Sequence, residues 1–142
     1  MPSQIYWHVP EKVLYIKFTG ALKPDSLLAT ADYAADMLTE ASQGAHVIMD
    51  MRRVVGLNKN TMQLRNNLAP MITHNNLNWT VVMTSNLLLQ AYLNRAAHRM
   101  TSRWGYVKNF AEAVSFVRQV DNTMTIIPVS LADAPRSAHL IR

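Results

Sequence analysis

The chain has 142 residues, 49% of them hydrophobic and only 16% charged, with no cysteine and a formal net charge of +5. A domain of this size buries a substantial core without covalent staples, and the apolar share excludes a disordered chain. The lack of cysteine excludes disulfides, cysteine-ligated zinc, iron–sulfur clusters and thiol nucleophiles within this chain.

The opening MPSQIYWHVPEKVLYIKF carries no basic leader followed by an apolar stretch, so no signal peptide is expected. No apolar run approaches the roughly 20 residues of a bilayer span. A soluble, cytoplasmic protein is the expectation. QIYWHV and VLYIKFTG are β-rich runs separated by the polar PEK, and the pairing predicts a hairpin whose second strand ends at Gly20. Pro24 suits the first position of a helix and Asp25 its first turn, and Leu27, Ala31, Ala34, Leu38 and Ala41 recur at helical spacing up to a stop at Gly44.

HVIMDM is a short apolar run that predicts a buried parallel strand ending at Asp50 and opening into the loop RRVVGLNKN. Asn60 and Gln63 form a capping-box pair, and Leu64, Leu68, Met71 and Ile72 continue one helical face. Pro70 falls inside that pattern and predicts a kink or a split. NWTVVMT is a second core strand, followed by a helix capped by Ser85 or Asn86, with Leu89, Leu93, Ala96 and Met100 facing the core and Gly105 ending it. YVKN predicts an edge strand. Asn109 and Glu112 open a last helix carrying Ala113, Phe116, Val117 and Val120.

The order is β-β-α-β-α-β-α-β-α, the pattern of a single α/β domain with a mainly parallel sheet carrying helices and an antiparallel first strand. Residues 1–121 are read as the domain and 122–142 as a C-terminal arm or tail, in which TMTIIPV alternates weakly and suits an edge strand or an arm.

Five histidines, His8, His46, His74, His98 and His139, show no metal-ligand spacing with one another or with an acid, and neither metal nor cofactor is expected. His46 begins a core strand and is expected to be hydrogen-bonded there. Phosphate-cradling and nucleophile-elbow motifs are absent. Asp32, Asp36 and Glu40 form a solvated helix edge. Asp50, at a strand end, is expected to accept hydrogen bonds from the following chain, with catalysis as the lesser alternative. Arg95, Arg99 and Arg103, with His98 and Tyr92 beside them, suggest a helical stripe that could meet an anion, against the simpler reading of a solvated face. Basicity alone is a weak footprint of nucleic-acid binding, which is not expected.

The hairpin with FTG, HVIMDM with Asp50, NWTVVMT and the closing NFAEAVSFV together resemble the STAS family of anti-sigma-factor antagonists and sulfate-transporter C-terminal domains, over roughly residues 4–121. In the last piece Phe110 stands two residues before Glu112, closer than in the family pattern. Regulatory members carry Asp-Ser-(Ser/Thr)-Gly after the central strand, with a phosphorylated serine. That motif falls here on Asn58, Lys59, Asn60 and Thr61, which puts Lys59 at the serine and removes the usual phosphoswitch. Thr61 is read as a cap or first-turn residue rather than a phosphosite.

The resemblance implies a non-enzymatic regulatory or protein-interaction domain, acting by homo- or hetero-association and expected as a homodimer. Its contact residues would be Arg52, Arg53, Asn58, Lys59, Thr61, Met62 and Arg65. Met62 and Met71 fit that role because flexible thioethers adapt to partners. One alternative is a small-ligand or lipid-binding module of the same fold, in the manner of Sec14-like carriers, with its ligand beside the Asp50 loop. A further alternative is an anion or nucleic-acid binder using Arg95, Arg99 and Arg103.

Overall fold

The structure is a computed structural model that describes residues 3–41, 44–56, 60–97, 103–121 and 139–141. The elements run β1 (Ser3–Val9), β2 (Val13–Ala21), α1 (Pro24–Thr39), β3 (Ala45–Gly56), α2 (Thr61–Ile72), β4 (Leu77–Met83), α3 (Leu87–Ala97), β5 (Arg103–Val107), α4 (Phe110–Val120) and β6 (His139–Ile141). One sheet holds all six strands in the order β5-β4-β3-β2-β1-β6. β1 lies antiparallel to β2 and β6, while β2, β3, β4 and β5 pair in parallel.

Side chains alternate across the sheet, so β1 to β5 feed two cores. Leu14, Ile16, Val47, Met49 and Val82 face α1, α2 and α3 and join Leu27, Leu38, Leu64, Leu68, Leu89 and Leu93. Tyr6, Val13, Tyr15, Ile48, Val81 and Met83 face the other way, where α4 supplies Phe110, Ala113, Val114 and Val117. Three helices thus cover one face and one covers the other.

Both N-cap bonds form. Asn60 Oδ1 accepts from the Gln63 N–H at 3.1 Å, and Asn109 Oδ1 accepts from the Glu112 N–H at 2.9 Å. The cap of α3 is Asn86, whose Oδ1 accepts from the N–H groups of Leu88 and Leu89. α1 ends at Thr39, ahead of the Gly44 stop that spacing predicts. Asn76, from the turn before β4, donates through Nδ2 to the carbonyls of Leu38 and Ala41 and so satisfies the terminal turn from outside.

β3 does not end at Asp50. It continues through Arg52, Arg53, Val54 and Val55 to Gly56, because β2 is long enough to pair with it as far as Ala21↔Gly56. The supposed loop is mostly strand. β2 itself passes Gly20 by one residue, with Gly20 at φ +75°. Pro70 leaves α2 unsplit: it lies two residues before the end, so a single late N–H is missing, and the Thr73 N–H still reaches Ala69 O at 3.0 Å.

Gly105 belongs to β5 and does not end the preceding helix. A Cβ there would run into Phe116 Cζ, so the glycine lets the Phe116 ring lie directly on the strand. Met100 and TMTIIPV lie outside the described residues. The C-terminal strand that is described is His139–Ile141.

Candidate functional site

On the α4 side of the sheet, Asp50 sits near the middle of β3 with 2% exposure. Arg52 is two residues on, where strand geometry returns the side chain to the same face. Its Nε donates to Asp50 Oδ1 and its Nη2 to Oδ2, both at 2.9 Å, and its backbone N–H reaches Oδ1 at 3.2 Å. Tyr15 pairs with Ile48 on the neighbouring strand, and its hydroxyl donates to Asp50 Oδ2 at 2.5 Å. Tyr6 packs on Tyr15 with ring centroids 5.0 Å apart.

Burial pushes the Asp50 carboxyl up, but the hydrogen bonds from Arg52 and Tyr15 outweigh it and hold its pKa below the ordinary 3.8. Burial, then the bond to Asp50, drives the Tyr15 phenol far above its usual range. Burial likewise pushes Tyr6 up to about 12. The bond to Asp50 stabilises the charge on Arg52. A carboxylate with both oxygens engaged and its pKa lowered is a weak general base, and a phenol held protonated is no nucleophile. The cluster is built to fix strand geometry.

A second polar pair ties the start of β3 to the end of α4. His46 at the start of β3 is fully buried, and its Nε2 lies 2.7 Å from Oδ2 of Asp121, just past α4.

The expected contact residues are spread over two elements. Arg52 is exposed yet bound to Asp50, and Arg53 is exposed on β3. Thr61 and Met62 begin α2, with Met62 65% exposed. Arg65 reaches across to α3, its Nε donating to Ala96 O at 3.0 Å, where a cation suits a helix C-terminus. Asn58 and Lys59 lie outside the described residues. The arginine stripe does not stand on one helix: Arg95 is exposed on α3, Arg103 is on β5 with Cζ 5.9 Å from the Trp79 ring centroid, and Arg99 lies outside the described residues.

Sequence reasoning missed the groove beside these residues. Val54, Val55 and Gly56 of β3 form one wall, and Asn86, Leu88, Leu89 and Tyr92 of α3 form the other, around a volume of about 220 Å³. Its signal, a Val-Val pair at the end of a strand, was masked by the preceding Arg-Arg. Among the described residues no group of three His, Asp or Glu side chains is placed to hold a metal, and no helix is long and apolar enough to cross a membrane.

No family model matches the sequence, and no curated protein matches it. Among solved structures, an uncharacterized protein of the DUF3478 family from Shewanella loihica, described as having a SpoIIAA-like fold, superposes with a TM-score of 0.53. It is 13% identical, and the match covers 73% of this chain and 82% of that one. The chain has a STAS-like fold.

Proposed function

We propose that this chain is a non-enzymatic interaction domain that works by association, as a homodimer or with another protein, in the cytoplasm. Residues 1–121 form the working module, and 122–142 act as an arm whose end is laid along β1. The observation that carries this reading is the distribution of exposed apolar side chains. Of the five large hydrophobic residues exposed among the described residues, four are Val55, Met62, Leu87 and Leu88, at the end of β3 and the starts of α2 and α3. Apolar side chains collected at one end of a domain mark an interaction surface. Arg52 and Arg53 on β3 and Thr61 and Arg65 on α2 would supply its polar rim around Met62, with Asn58 and Lys59 standing between them in the sequence.

A lipid carrier is less well supported. The groove of about 220 Å³ falls short of the roughly 300–1,000 Å³ of a pocket for a drug-sized molecule. An anion site made of Arg95, Arg99 and Arg103 loses its helical basis once Arg103 is on β5.

Size-exclusion chromatography with light scattering tests the reading. A dimer is expected for the full chain, with Met62→Asp and Leu87→Asp shifting it to monomer while circular dichroism is unchanged. A chain that stays monomeric at high concentration overturns the homodimer.

A further inference from the structure

β3 is longer than its neighbour on one side. Its pairing with β4 ends at Asp50↔Met83, whereas its pairing with β2 runs on to Ala21↔Gly56. From Met51 to Val55 the strand continues beside β2, with bulges opposite Lys17–Thr19 and Gly20–Ala21, and offers an edge with no strand against it among the described residues. The chain after β4 has turned away by then: the Thr84 N–H bonds to Val107 O, and Asn86 caps α3. The space so opened is the groove between Val54–Gly56 and the first turn of α3.

An open strand edge demands a specific kind of occupant. The N–H and C=O groups of such an edge are satisfied by another backbone in extended form, and a flanking pocket then selects alternate side chains; here Asp50 Oδ1 already accepts from the Arg52 N–H, so the ladder on offer lies beyond it. The pocket carries aliphatic side chains on both walls, Val55 81% and Leu88 60% exposed, with Asn86 and Tyr92 beside them, and it has room for one or two side chains. Arg53, exposed on the same overhang, favours an acidic neighbour in the incoming segment.

We infer that the overhanging edge of β3 is a strand-addition site for an extended peptide segment of a partner protein, one that alternates aliphatic and acidic residues. The inference rests on the association reading and specifies its partner: the segment takes the place β4 vacates, its aliphatic side chains enter the groove against Leu88 and Val54, and its carboxylates meet Arg53 on the other face.

The probe is a terminally blocked nonapeptide alternating leucine with aspartate, titrated into the 15N-labelled full chain. Shift changes are expected at residues 53–56 and 86–92. Methylating alternate backbone amides of the peptide should weaken binding about tenfold or more, because it removes ladder hydrogen bonds while keeping the side chains. Leu88→Asp should abolish binding, and Arg53→Glu should shift the preference to the same peptide with lysine in place of aspartate. The exposed positions of both keep the fold out of question, and a matching circular dichroism spectrum checks it.

Equal binding of the N-methylated peptide, or no shift at millimolar peptide, overturns strand addition. So does decanoate shifting the same residues where the peptide does not, which assigns the groove to an acyl chain. If no peptide binds while Met62→Asp still dissociates a dimer, association stands and strand addition falls. If the peptide binds a chain that stays monomeric, strand addition stands and the homodimer falls.

Discussion

The hydroxyl of Tyr15 and the carboxylate of Asp50 meet at 2.5 Å across two parallel strands, inside a cluster that Arg52 closes from the solvent side. Tyr15 is the bridge between the α4 core and the middle of β3, since its ring also packs edge-on against Phe110 at 5.9 Å. The charge on Asp50 is therefore tied to the packing of two layers.

Replacing Arg52 with alanine should lower stability by about 1–3 kcal/mol, because a buried carboxylate loses its charged partner while Tyr15 still donates to it. Urea unfolding at neutral pH measures the loss. An unchanged midpoint would show that water replaces the guanidinium at no cost.

The pH dependence has a definite sign. Asp50 has a folded pKa below its ordinary 3.8, so its contribution is present above that value and declines as pH falls below it. The native chain should exceed Asp50→Asn in stability at pH 6, and the gap should narrow as pH drops below 3.8. Parallel unfolding curves down to low pH would refute this assignment.

Gly105→Ala places a methyl group into the Phe116 ring, which already packs against Trp79 with centroids 5.1 Å apart. Overpacking of this kind costs about 1–3 kcal/mol. Adding Phe116→Leu should recover part of the loss, and a double-mutant thermal melt reads the coupling. Strict additivity would mean that the two sites do not meet.

Asn109→Ala should cost about 1 kcal/mol, the usual value of a lost N-cap. Pro70→Ala should act in the opposite sense, stabilising by about 1–3 kcal/mol, since it restores an N–H to α2 and removes a ring that crowds the preceding turn. Chemical denaturation of each variant gives the sign directly.

Features decided within one turn of chain were legible in the sequence. Asn60 with Gln63 and Asn109 with Glu112 announce their helices because cap and recipient are three residues apart. The length of β3 was not legible, since it is decided by how far β2 continues beside it and Arg52-Arg53 reads locally as a turn. Tyr15 was not found as the partner of Asp50, because 35 residues separate them and only the strand register brings them together. Arg103 continues the helical spacing of Arg95 in sequence, yet the pairing of Trp79 with Arg103 on β4 and β5 overrides it. β6 is three residues long and exists through the edge that β1 offers, which no local pattern encodes.

The unequal lengths of β3 and β4 give one strand two kinds of backbone amide. From Met51 onward, amides paired with β2 are held in the sheet, while among the described residues no ladder holds those aimed the other way, the Arg52 N–H being held instead by Asp50 Oδ1. In deuterium oxide the first set should retain its protons on the timescale of sheet opening, and the second should exchange about as fast as surface loops. Occupancy of that edge would then be written in the slowing of a few alternate protons, with no change elsewhere in the sheet.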